Sequence, residues 1–114
     1  MRSGFEKFVK KLLNKHKVKF KYEPFTLPYV VEKNYKPDFV LSNGILIETK
    51  GNFPSSDRTK MLKVKEQHPD LDIRLWFQRD NWVTKKHNMR YSEWAEKNGF
   101  KYHVGETLPK EWFK

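Results

Sequence analysis

Asp38, Glu48 and Lys50 are the residues of this chain whose types and spacing could carry chemistry. Asp38 follows Pro37, and Glu48-Thr49-Lys50 comes after an intervening Ser42-Asn43-Gly44. Strand side chains alternate between faces, so Glu48 and Lys50 share one face while Ile45, Ile47 and Thr49 take the other. Asn43-Gly44 reads as a hairpin turn supplying positive φ angles. A hairpin centred there sets residue 38 across from residues 48 to 49. Two carboxylates and an ammonium then converge. This set suits phosphodiester cleavage, which needs charge on a pentacoordinate phosphorus neutralised and a water activated. Hard divalent cations do both, and they prefer oxygen donors. Asp38 and Glu48 are expected to hold a metal, with the Thr49 backbone carbonyl as a third ligand. Lys50 is expected to orient the attacking water or stabilise the developing charge. The simpler alternative is a surface Glu48–Lys50 ion pair beside an exposed Asp38.

Glu6 joins this set from a separate element. Phe5, Phe8, Val9, Leu12 and Leu13 follow helical spacing over residues 4 to 16, with Lys7, Lys10, Lys11 and Lys15 opposite. At about 100° per residue, Glu6 falls at the edge of the apolar stripe. A carboxylate turned partly toward a core needs a partner. A metal at the sheet is one such partner. A capping box with Ser3 is the other, and the two roles do not exclude each other.

The remaining elements must position these groups. Residues 17 to 23 alternate as a half-buried strand. Pro24 and Pro28 make 25 to 31 an irregular or edge strand, and 32 to 36 a polar connection. Asp38 to Leu41 and Ile45 to Lys50 form the hairpin. Ser56 is expected to cap a helix running to His68-Pro69. Strand 72 to 78 follows, then an unpatterned basic stretch at 79 to 90. A helix from Ser92 stops at Gly99, and a last strand covers 100 to 104. Trp112 and Phe113 are expected to pack on the body. Trp76, Trp94 and His16 read as core. The order of elements gives a single α/β domain over 1 to 114 with a mixed sheet.

Composition narrows the partner. The 114 residues include 24 Lys and Arg against 14 Asp and Glu, a formal net charge of +10. Such a surplus on a small domain points to a polyanion, nucleic acid before an anionic membrane. Cysteine is absent, which excludes disulfides and thiolate metal sites. His16, His68, His87 and His103 show no paired ligand spacing. No apolar run reaches the roughly 20 residues that span a bilayer, and the start of the chain lacks a signal-peptide core. A cytoplasmic protein with no small-molecule cofactor is expected.

Several segments together carry a family resemblance. They are Arg2-Ser3-Gly4-Phe5-Glu6, Lys19-Phe20-Lys21-Tyr22-Glu23, Pro28-Tyr29-Val30, Tyr35-Lys36-Pro37-Asp38-Phe39, Asn43-Gly44-Ile45, Glu48-Thr49-Lys50-Gly51, Glu66-Gln67-His68-Pro69, Leu71-Asp72-Ile73-Arg74 and Pro109-Lys110-Glu111-Trp112. In these the chain resembles the bacteriophage T-seven endonuclease I family of Holliday-junction resolvases, within the PD-(D/E)XK nuclease superfamily. The resemblance is collinear over nearly all 114 residues. It implies a restriction-endonuclease-like fold and an intertwined homodimer. Residues 1–31 would be exchanged between protomers through the connection 32–36. It implies that Glu6, Asp38, Glu48 and Lys50 are catalytic, with Glu6 entering the partner's site. It implies Mg2+ or Mn2+, two ions per site, acting on four-way junctions and other branched DNA inside a phage-infected bacterial cell. The connection 32–36 is shorter than the family's bridge, and Lys21 stands where the family has an acidic residue.

Phosphate contacts need Lys and Arg. Lys7, Lys10 and Lys11 on the first helix, Arg58, Lys60 and Lys63 on the second, and Lys85 and Lys86 in the basic loop are the candidates. Trp82 is expected either to pack on its own domain or to stack on an unpaired base. The competing functions are a mismatch- or restriction-type nicking enzyme on duplex DNA and a non-catalytic basic DNA-binding module.

Overall fold

The structure, a computed structural model, describes residues 4–29 and 33–113. The expected Ser3 cap, residues 30 and 31 of the segment expected to be exchanged, and residue 32 of the connection lie outside them. Helical spacing of apolar residues folds Gly4–Lys15 into helix α1, which buries Phe5, Val9 and Leu13. Two expectations fail here. Phe8 is 37% exposed, because it lies on the flank of the stripe and stacks on the Phe5 ring instead. His16 is exposed rather than core. It sits in the turn just after the last helical residue, where its N–H bonds Leu12 O and the chain is already leaving the sheet. Lys17 then takes a φ of 56°, in the left-handed region. That turn consumes the first residues of the expected strand, so β1 spans only Phe20–Tyr22.

Part of the stretch read as a polar connection is a strand. Strand β2 (Leu27–Tyr29) pairs antiparallel with β3 (Lys33–Tyr35) as a separate two-stranded ribbon. The connection expected over 32 to 36 is therefore partly a strand. Its anchor is Tyr35, which is 1% exposed.

The main sheet is built around the expected hairpin, β4 (Phe39–Leu41) and β5 (Leu46–Lys50), with Phe39 opposite Ile47 and Val40 opposite Leu46. Extending that register by one residue sets Asp38 across from Glu48. The turn differs in type from the two-residue form. Leu41 O accepts from Gly44 N–H, and only Gly44, at φ 92°, is left-handed. This is the three-residue hairpin loop with a glycine bulge. Asn43 uses its side chain instead, donating to Trp112 O at 2.7 Å.

Helix α2 (Ser55–Gln67) crosses from β5 to β6 (Ile73–Phe77), and α3 (Tyr91–Lys97) crosses from β6 to β7 (Lys101–Val104). Each crossover joins parallel neighbours, whereas β1, β4 and β5 run antiparallel. The sheet order is β1-β4-β5-β6-β7, mixed as expected. Both helices start earlier than expected, α2 by two residues and α3 by one. Helix α2 starts after Pro54, whose carbonyl accepts from Arg58 N–H, not at a Ser56 cap. Helix α3 starts at Tyr91, and Ser92 instead donates its hydroxyl and N–H to the Asp80 carboxylate.

The sheet separates two apolar layers. Helix α1 covers Phe39, Leu41, Ile45, Ile47 and Trp76, and Trp112 from the tail closes that side. Helices α2 and α3 cover Leu46, Ile73, Leu75 and Phe77 on the other side, with Phe53, Met61, Val64 and Trp94 between. Trp76, Trp94, Trp112 and Phe113 pack as expected. Each fully buried side chain of this size contributes about 1.5–3 kcal/mol. These two layers fix the sheet end that carries Asp38, Glu48 and Lys50. Among the described residues, no helix is long and apolar enough to cross a membrane.

Candidate active site

Strand alternation delivers Glu48 and Lys50 to the α2 side of the sheet, as the spacing required. Glu48 is 4% exposed. One of its oxygens, Oε2, accepts from the Tyr35 hydroxyl at 2.8 Å. The other, Oε1, lies 3.4 Å from the Lys50 ammonium. Lys50 also donates to Asp57 Oδ2 at 3.1 Å, from the first turn of α2. Asp38 precedes β4 and turns its Oδ2 to the Thr49 N–H (2.8 Å) and the Thr49 hydroxyl (2.9 Å). Glu6 arrives from α1, 6% exposed, and accepts from the Tyr22 hydroxyl at 2.8 Å. All four expected residues line one cavity of about 370 Å3, together with Thr49, Lys36, Asn52, Asp57 and Lys60. The alternative of an exposed Glu48–Lys50 surface pair is thereby excluded.

The electrostatics of this cavity are unbalanced toward negative charge. Burial pushes the Asp38 carboxyl up to about 8; the Glu48 charge, a hydrogen bond with Glu6 and the Glu6 charge add to it, against the Thr49 N–H. Burial also raises Glu48, opposed by Lys50, Lys60 and the Tyr35 hydroxyl. Tyr35 is held well above the usual phenol range by burial and by Glu48. Burial alone would discharge Lys50, but Glu48 and Asp57 outweigh it and hold the ammonium above its ordinary value.

The donor set fits a hard divalent cation. Every candidate ligand is oxygen, and Asp38 resists ionisation because it is buried and faces the charge of Glu48. Among the described residues, no three of Asp, Glu and His are gathered closely enough to hold an ion. Each carboxylate also accepts from a protein donor: Glu48 from Tyr35, Asp38 from Thr49, Glu6 from Tyr22. Glu6, Asp38, Glu48 and Thr49 line one cavity.

Of the eight cations expected to touch DNA, only Lys60 lines this cavity. Lys7, Lys10 and Lys11 are exposed on α1, with Lys10 over the Tyr22 ring. Arg58 donates to Phe53 O at 2.6 Å, closing the loop before α2. Lys63 is half-buried on α2, and Lys85 and Lys86 are exposed in the loop after β6. Trp82 packs on its own loop: His87 stacks at 5.1 Å and the Arg90 guanidinium lies 4.1 Å from the ring centre. Tyr22, Tyr35, Lys36 and Asp57 were not among the expected site residues. Only Asp57, in the first turn of a helix that follows Lys50 closely, offered a sequence signal.

The Asp38 shift has a consequence for stability. From its ordinary 3.8 to about 8, the unfolded chain has released a proton that the folded chain still holds. Its contribution to folding therefore falls as pH rises through that window. An asparagine does not titrate. In chelator-treated buffer, Asp38→Asn should match the parent near pH 4 and melt higher by roughly 5 °C or more at pH 8. Thermal melts across that range check this, and parallel curves would contradict it.

Comparison with known proteins gives the family. The Phage endonuclease I family model matches residues 1–114. The chain is 44% identical over 117 aligned residues to Endonuclease I of Escherichia phage T7, covering 99% of this chain and 78% of that one. It is 48% identical over 102 aligned residues to Endodeoxyribonuclease 1 of Enterobacteria phage T3, covering 86% and 67%. A match of that extent, over a chain whose buried carboxylates and lysine meet in one cavity, places it: this chain belongs to the phage endonuclease I family.

Proposed function

We propose that this chain is a divalent-metal-dependent endodeoxyribonuclease that resolves four-way junctions and other branched DNA by phosphodiester hydrolysis. The observation that carries this is Glu48. It is buried between Tyr35 and Lys50, next to an Asp38 that is buried and faces its charge, in a cavity rimmed by Lys36 and Lys60.

In this reading Asp38, Glu48 and the Thr49 carbonyl hold Mg2+ or Mn2+, and Glu6 serves a second ion or its water. The bound cations neutralise phosphate charge and activate water. The chain's own groups do the rest. Tyr35 fixes the rotamer of Glu48 through its 2.8 Å hydrogen bond. Thr49 does the same for Asp38 through two. Lys50 presents a permanently charged ammonium to the phosphate being cut. Lys36 and Lys60 draw the DNA backbone to the cavity mouth. Buried walls keep bulk water away from these charges and strengthen each interaction.

The fold is assigned to the PD-(D/E)XK type, with the Asp38, Glu48 and Lys50 pattern on a mixed sheet. The active form is a homodimer exchanging residues 1–31 through the connection 32–36, in the cytoplasm of the infected host. Exchange would make the β2–β3 pairing and the docking of α1 between protomers, with contacts of the same kind that the single chain makes with itself. A four-way junction asks for two cuts, so two sites on one body match the substrate.

Two measurements check this. With Mg2+, the purified protein should cut a four-way junction and leave its duplex arms intact in the same gel assay. Glu48→Ala and Lys50→Ala should each lose at least about a hundredfold in cleavage and keep junction affinity. Equal rates on duplex would favour a nicking enzyme, and no cleavage at all a binding module. Tyr35→Phe, which removes only the hydroxyl on Glu48, should raise the Mn2+ concentration needed for half-maximal cleavage by roughly tenfold to a hundredfold. An unchanged metal dependence would remove Tyr35 from the site.

A further inference from the structure

Lys50 has two anionic partners, and the proposed reaction takes one of them away. Its ammonium lies 3.4 Å from Glu48 Oε1 and 3.1 Å from Asp57 Oδ2. Only 12% of the Lys50 side chain is exposed, against 28% for Asp57. A lysine this buried is expensive to leave unpaired. A cation on Glu48 would occupy the carboxylate that Lys50 faces and would repel the ammonium as a like charge. Glu48 cannot turn away to accommodate both, because Tyr35 holds its other oxygen at 2.8 Å. Asp57 comes from a different element, the first turn of α2, and lines the same cavity.

We propose that Asp57 is a positioning residue that anchors the Lys50 ammonium, so that Glu48 can give its Oε1 to a cation while Lys50 stays paired and in place. Without Asp57, Lys50 has only Glu48, and it competes with the cation for that oxygen. The inference rests on the metal-dependent reading above, and it assigns α2 a role in metal uptake as well as in packing.

The distinguishing feature is that Asp57 acts through Lys50. Simple loss of a negative charge would weaken cation binding whether or not Lys50 is present. Mn2+ affinity is therefore measured by calorimetry, without DNA, on the chelator-treated parent, Asp57→Asn, Lys50→Met and the double variant. Asp57→Asn should weaken Mn2+ binding about tenfold or more with Lys50 present and less than about twofold in the Lys50→Met background. Asp57→Glu keeps the carboxylate and should stay within about threefold of the parent. Asp57→Ser, compatible with a helix start, replaces Asp57→Asn if that variant melts early. Equal effects in both backgrounds, or no effect in either, would overturn the inference while leaving the metal site standing. A parent protein that takes up no Mn2+ would overturn the metal-dependent reading and this inference with it.

Discussion

Glu6, Asp38 and Glu48 bring three carboxyl groups out of water at one end of a single sheet, and the rest of the molecule is organised around holding them there. Like charges in a poorly solvated space repel, and each loses hydration on burial. Asp38 registers the conflict, with its carboxyl pushed up to about 8 by burial and by the charge of Glu48. The conflict persists because each carboxylate is fixed by a donor that cannot easily leave. Tyr35 is buried at the end of β3, Thr49 is bonded within β5, and Tyr22 closes β1. Lys50 offsets part of the negative charge, and Asp57 shares that lysine. A divalent cation would supply what remains.

The two apolar layers explain why the arrangement does not relax. Glu48 and Lys50 share a strand face with Leu46, which is packed under α2 and α3. Ile45 and Ile47 lie on the other face beneath α1 and Trp76. A one-residue slip of β5 would expose one set and bury the other wrongly, so the register of the catalytic pair is tied to the packing of the core. Function and stability pull against each other at the sheet end: an Asp38 that helps bind a cation is one that weakens the metal-free fold at neutral pH.

Much of this was legible in the sequence, for identifiable reasons. The Asn43-Gly44 turn and strict alternation across Ile45 to Lys50 located the hairpin and put Glu48 and Lys50 on one face. The position of Glu6 on the edge of a helical stripe, together with the family resemblance, placed it at the site. What escaped depends on contacts between distant segments. Tyr35 sits in a stretch too polar and too short to read as a strand, and only its hydrogen bond to Glu48 reveals its role. Asp57 looked like an ordinary acidic residue in a first helical turn until Lys50 was seen against it. His16 failed as a core residue because helical periodicity was extended past Lys15, where the helix stops. Spacing put Asp38 and Glu48 in one neighbourhood, but it could not reveal that Tyr35, Thr49 and Tyr22 donate to the three carboxylates.

The central claim is that this carboxylate cluster exists to take a cation. Anomalous diffraction from crystals soaked in Mn2+ tests it most directly. The account predicts an anomalous peak between Asp38 and Glu48, with Lys50 still against Asp57. No peak there at saturating Mn2+, or one held only by exposed acidic residues elsewhere, would contradict it.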